Sequence, residues 1–153
     1  MADPVEEQIV ANIVSTLEDI NTGNGYYTNA GHRVLKYLEG WQQPDGDTLP
    51  CLYVVGGDED PRVTGLGGNC YTSETRYVVY CYVEQKPGNN DLADLLIRAK
   101  ADIKVAMMTD GTRGGLASTT EMLEFGTDNG EVAPRGIVAG AFIVKYSWSL
   151  AAP

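Results

Sequence analysis

The sequence predicts an α+β fold, two helices packed on a largely antiparallel, mixed β-sheet, in a single domain spanning residues 1–153. Three observations carry that expectation. Apolar residues recur at three- and four-residue spacing in two segments far apart in the chain, one near the start and one near residue 100. The segments between and after them alternate or run continuously apolar over short lengths, as strands do. The resulting order is helix, hairpin, strand, strand, helix, strand, strand, which lacks the regular β-α-β alternation of a parallel sheet. A length of 153 residues with 43% hydrophobic residues supplies the core of one such domain, and no internal repeat or low-complexity segment divides it.

The first helix is expected from Asp3, a capping residue, with Pro4 in its first turn and Glu6 completing a capping box. Val5, Ile9, Ile13, Leu17 and Ile20 form its apolar face, flanked by Val10 and Val14, and Asn21-Thr22-Gly23-Asn24-Gly25 ends it with turn chemistry. Tyr26 to Thr28 and Arg33 to Leu38, separated by Asn29-Ala30-Gly31-His32, suggest a hairpin, followed by a loop from Gly40 to Asp47. Pro50 to Val55 is a buried strand that breaks at Gly56-Gly57-Asp58-Glu59-Asp60-Pro61. From about 56 to 72 the chain has five glycines and no clear period, so a long glycine-rich loop is expected there.

Glu74 to Glu84 is the clearest strand, with Thr75, Tyr77, Val79, Cys81 and Val83 on one face. After the turn at Lys86-Pro87-Gly88-Asn89, Asn90 or Asp91 caps the second helix. Leu92, Leu95, Leu96, Ala99, Ile103, Ala106 and Met107 make its buried face, and Asp110-Gly111 ends it. Thr119 to Phe125 alternates weakly, Gly126 to Gly136 turns, and Ile137 to Leu150 is a long closing strand in which Gly140 marks a bulge or close packing.

The chemistry-bearing residues form no reactive constellation. His32 is the one histidine, set in a turn without a nucleophile beside it. Cys51, Cys70 and Cys81 lack metal-ligand spacing and read as reduced, buried small hydrophobes. Asp45-Gly46-Asp47 and Asp58-Glu59-Asp60 do not follow a calcium-loop pattern and read as solvated acidic loops. Gly65-Leu66-Gly67-Gly68 and Asp110 to Gly115 lack the Gly-Lys-Ser/Thr ending of a phosphate loop, and the latter reads as a helix stop. Nine tyrosines, several of them in strand patterns without basic neighbours, read as sheet packing. No catalytic, metal or cofactor-binding residue is assigned, and no cofactor is expected.

Charge narrows the partners. Eleven basic against 21 acidic residues give a formal −10 and a pI near 4.4, a balance that argues against binding nucleic-acid phosphates or an anionic membrane. The acidic start, Met-Ala-Asp-Pro-Val-Glu-Glu, does not look like a signal peptide, and no run approaches the ~20 apolar residues a membrane helix needs. A soluble protein made in a cytoplasm is expected.

The order of segments resembles the tail terminator family of tailed bacteriophages, also called tail completion or minor tail proteins. The resemblance runs over most of the chain. It is carried by the opening helix V-E-E-Q-I-V-A-N-I-V-S-T-L-E-D-I, the strands L-P-C-L-Y-V-V-G-G-D-E and E-T-R-Y-V-V-Y-C-Y-V, the helix D-L-A-D-L-L-I-R-A-K-A-D-I-K-V-A-M-M-T-D and the closing strand I-V-A-G-A-F-I-V-K-Y-S-W. It implies a structural virion protein without enzymatic activity, assembled in the host cytoplasm, that forms a hexameric ring from copies of itself. Such a ring caps the tail tube and meets a neck or connector protein, touches the sheath if the tail is contractile, and lets DNA pass without binding it specifically. A neck or head-tail connector ring subunit of the same particle is the alternative, and a small hydrolase using Asp58, Glu59 or Asp60 is a more distant one.

The family fixes no interface residues by motif, so these are inferred from the sequence itself. Asp58, Glu59, Asp60 and Arg62 head the glycine-rich segment and are expected in an assembly element. Tyr146 and Trp148 are expected at an interface because the final strand is apolar on both alternating faces.

Overall fold

The structure, a computed structural model, describes residues 3–36, 46–63, 69–88 and 91–151. Its elements are α1 (Val5–Glu18), β1 (Val34–Leu35), β2 (Cys51–Val63), β3 (Cys70–Glu84), α2 (Leu92–Thr109), β4 (Ala117–Thr127) and β5 (Arg135–Ser149), with short 3-10 turns at Thr22–Asn24, Ala30–His32 and Gly46–Thr48. The five strands form one sheet in the order β1-β2-β3-β5-β4. Only the β1–β2 pair is parallel, so the expected α+β fold with a mostly antiparallel mixed sheet is the one observed.

Both helices pack on one face of the sheet. Ile9, Ile13 and Leu17 of α1 are fully buried, as their spacing requires, and Leu92, Leu96, Ala99, Ile103, Ala106 and Met107 of α2 meet them over the sheet. From the strands come Leu52, Val54, Tyr77, Val79, Cys81, Val83, Val138, Phe142 and Val144. The period-two face read for β3 is the buried one. Each fully buried Ile, Leu or Phe contributes about 2 to 3 kcal/mol relative to exposure, so this layer is the main source of stability. A smaller cluster of Leu49, Cys51 and Tyr53, with Leu35, Tyr80 and Tyr82 against it, covers part of the opposite face.

Several elements depart from expectation. No side chain caps α1: Pro4 occupies the N-cap and the Gln8 amide donates to the Asp3 carbonyl, so the capping box is not formed. For α2 the cap is Asp91, which accepts from the Asp94 N–H at 2.9 Å. Residues 26–36 do not make a hairpin. Two 3-10 turns bracket Tyr26 to Thr28, and β1 joins β2 in parallel through Val34 and Leu35. The largest departure is at 56–72, where β2 continues to Val63 and pairs with β3 from Tyr71 to Tyr77, so what was expected as a loop is an arm of the main sheet, in which β3 also pairs with β5 from Phe142 to Ser149. Gly40 to Asp45, Gly65 to Gly68 and Asn89-Asn90 lie outside the described residues.

β5 pairs without interruption from Arg135 to Ser149 along β3, so Gly140 marks close packing and not a bulge in that pair. A Cβ at Gly140 would stand 2.5 Å from the Phe125 ring, and one at Gly136 would stand 2.8 Å from Leu96 Cδ2. Both distances are inside any van der Waals contact, so these two positions let Phe125 and α2 sit directly on the strand.

The cysteines divide. Cys51 and Cys81 are buried, as expected, but Cys70 is exposed at the start of β3, and all three are free thiols. Burial, with Cys51 close by, pushes the Cys81 thiol far above its ordinary range. One thiol per chain is therefore expected to react with a maleimide under native conditions, and the other two only after denaturation. Fast native labelling of two or more would contradict the packing described.

Candidate assembly interface

The acidic residues expected in an assembly element lie on the β2–β3 arm. A register shift between Gly56 and Glu59 gives the ribbon an irregular turn at its root, after which Glu59 to Val63 pair with Thr75 to Tyr71. Asp58, Glu59, Asp60, Pro61 and Arg62 are all exposed. Arg62 donates to Asp60 at 2.8 Å in an exposed pair that water screens. Proline is tolerated at 61 because beyond Tyr53 the outer side of β2 has no neighbouring strand among the described residues.

A polar network fixes the root of the arm. Ser73 Oγ donates to Glu59 Oε1 at 2.5 Å, Trp148 Nε1 donates to Ser73 Oγ at 2.8 Å, and Tyr146 Oη reaches Glu59 Oε1 at 3.3 Å. Thr75 Oγ1 stands 3.4 Å from Tyr146 Oη, and Tyr77 Oη donates to Glu6 of α1 at 3.3 Å. Ser73 and Thr75 are completely buried, and Tyr71 stacks on Trp148 with ring centroids 4.4 Å apart at 15°. Burial foremost raises the phenols of Tyr77 and Tyr146 above their ordinary range, so both remain proton donors to the carboxylates. The effect is to hold the first residues of the ribbon rigidly against β5.

Tyr146 and Trp148 therefore serve inside the chain. Tyr146 is 3% exposed and belongs to the main core, and Trp148 packs against that core from the same side as the helices. Tyr146 is not part of this chain's surface, because the even-numbered residues of β5 face α1 and α2. The opposite face carries Arg76, paired with Glu124 at 2.7 Å, and Lys145, paired with Glu121 at 2.9 Å and Glu74 at 3.5 Å. Ser73, Thr75, Tyr71 and Glu6 were not read from the sequence as members of this network. Their roles depend on contacts across 14 to 75 residues, for which no local spacing gives a signal.

Among the described residues the sheet ends in two open edges. At one end β2 runs past its short parallel neighbour; at the other, β4 pairs only with β5 over Ala117 to Thr127. Met122 and Leu123 on β4 are each 45% exposed.

The other residues considered from the sequence take ordinary places. The exposed His32 has Nδ1 2.8 Å from the Asn29 carbonyl. Asp47 lies in a 3-10 turn, while Asp45 is outside the described residues. Asp110 accepts from Thr112 Oγ1, Thr112 N and Gly114 N, bonds that lower its carboxyl from the usual range, so the turn after α2 is closed on itself as a helix stop. Among the described residues no group of three or more His, Cys, Asp or Glu converges as a metal site, and no helix is long and apolar enough to cross a membrane.

No protein-family model matches the chain, and no curated protein matches it. Among solved structures, a chain from the virion of a native gene transfer agent particle is similar over 95% of this chain and 92% of that one, at 14% identity and a TM-score of 0.42.

Proposed function

We propose that this chain is a non-enzymatic structural protein of a tailed-phage or phage-like particle, a subunit of a ring that caps the tail tube and joins it to the neck. The observation that carries the proposal is the pair of open strand edges at opposite ends of one sheet, one of them the outer side of β2 beyond Tyr53. A subunit with different binding surfaces on its two sides makes head-to-tail contacts, and such contacts close into a ring when the rotation per subunit is a whole fraction of a turn. Exposed edges left unused are a liability, so a function that covers them accounts for their presence. Sixfold closure follows from the family resemblance in the order of segments. The formal −10 on each copy gives the ring a surface that does not retain DNA passing through it.

Within this proposal Asp58, Glu59, Asp60 and Arg62 are contact residues, and Tyr146 and Trp148 aim the arm that carries them. The partners are further copies of the chain, the end of the tail tube, the neck or connector, and the sheath in a contractile particle. The test is complementation of a particle lacking this chain. Tails of uncontrolled length, or tails and heads that fail to join, are expected without it, with normal particles restored by the intact gene. Particles of wild-type length and full infectivity in its absence would refute the proposal.

A further inference from the structure

The groove between α2 and β4 has the character of a docking surface. Ala93, Ile97 and Lys100 of α2 line it on one side and Thr127 and Gly130 on the other, enclosing about 320 Å³. Ile97 is 59% exposed and Met108, further along the helix, is 41% exposed. Lys104 lies on the same flank, its Nζ 5.1 Å above the Phe125 ring. Met122, in register with Phe142 and so on the helix side of the sheet, is also exposed. An apolar strip of this kind, bordered by an open strand edge, is incompletely covered within one copy.

Charge identifies what covers it. Among the described residues Lys100 and Lys104 make no salt bridge, in a chain with nearly twice as many acids as bases. The exposed acids of β4 do not answer them. Glu121 and Glu124 lie opposite Ile143 and Ala141, on the other face of the sheet, and are paired with Lys145 and Arg76. Asp58 on the arm has no salt bridge either, and Asp60 holds only the exposed Arg62. The acidic β2 edge lies at one end of the sheet and the lysines flank the other end, the arrangement that head-to-tail association of identical copies requires.

We infer that the α2–β4 groove receives the open β2 edge of a second copy of this chain, with the Asp58 to Asp60 run set against Lys100 and Lys104. The inference rests on the ring proposed above and names the contact that closes it. The arm's acids select the groove and its register, and the apolar strip excludes water around the charges.

Charge reversal with compensation tests it, using the full chain in sedimentation at matched concentration and salt. Lys100→Glu with Lys104→Glu, and separately Asp58→Lys with Asp60→Lys, are each expected to weaken self-association roughly 10- to 100-fold, because each sets like charges opposite one another. All four positions lie outside the hydrophobic core, and circular dichroism checks that the variants fold. The quadruple variant, with both charges reversed, is expected to recover assembly. Wild-type rings with unaltered assembly of both double variants would overturn this contact while leaving the ring itself standing. Loss in both doubles without recovery in the quadruple would overturn the pairing. A wild-type chain that stays monomeric at every concentration and on tail tubes would overturn ring and contact together.

Discussion

Arg113→Met is expected to lower the stability of the fold by about 3 kcal/mol, one of the two largest effects of any single substitution outside the apolar core. Arg113 is completely buried and among the described residues makes no salt bridge with a carboxylate. Its Nη2 donates to the Met107 carbonyl in the last turn of α2, and its Nε donates to Thr120 Oγ1 at 3.2 Å. The positive charge thus sits at the negative end of an 18-residue helix, where the unpaired carbonyls concentrate. Burial lowers the guanidinium's basicity somewhat, opposed by the Asp110 carboxylate, but an arginine remains charged at any pH at which the protein folds.

Methionine matches the volume of the stem and leaves the Met107 carbonyl without its donor in a dry environment. Lysine is expected to recover only part of the loss, because one ammonium cannot reproduce a planar fork that serves a carbonyl and a hydroxyl in different directions. Urea unfolding monitored by tryptophan fluorescence measures both. A loss below 1 kcal/mol for methionine would show that the buried charge is not what holds α2 to β4.

Asp102→Ala is expected to cost a similar amount, about 2 to 4 kcal/mol. Asp102 lies on the buried side of α2, 2% exposed, and accepts three hydrogen bonds from a segment some 75 residues earlier. The Tyr27 N–H reaches Oδ1 at 3.0 Å, while the Thr28 N–H and hydroxyl both reach Oδ2 at 2.8 Å. Alanine strands all three donors. Asn is expected to lose less, since its carbonyl still accepts on one side while its amide turns a donor toward another donor. Hydrogen exchange supplies a local readout: in the alanine variant the Tyr27 and Thr28 amides are expected to exchange well before the remainder of the core. Unchanged protection there would count against the anchoring role.

These two residues also mark the limit of what the sequence conveyed. α2 and β3 could be read because their burial repeats with the local period of the backbone, so each carries its own evidence in neighbouring residues. Tyr26 to Thr28 had the composition of a strand, but the backbone donors of Tyr27 and Thr28 are satisfied by a distant carboxylate, and composition cannot report a partner 74 residues away. The arm failed for the opposite reason. Gly56-Gly57-Asp58-Glu59-Asp60-Pro61 is turn chemistry locally, yet pairing with β3 from Tyr71 to Tyr77 overrides it and uses the glycines at the register shift. Among the residues expected at an interface, Asp58, Glu59, Asp60 and Arg62 were picked out by their charge at the head of a glycine-rich segment, and all four are exposed. Tyr146 was misplaced because alternation shows that two faces of β5 are apolar without showing which one the helices take.

The contacts at Gly136 and Gly140 constrain how this sequence can drift over generations. Phe125 occupies the space where a side chain at 140 would begin, so its ring must move for any replacement there, and at 136 the end of Leu96 must turn aside, with Leu92 also close. Enlargement at 136 is easier in a lineage that has first shortened residue 96, and the intermediate carries a cavity under α2. Descendants of this chain are therefore expected to vary at 96 and 136 as a linked pair, with 125 and 140 as a second, and a distant relative is better recognised by those coupled sizes than by identity at any one position.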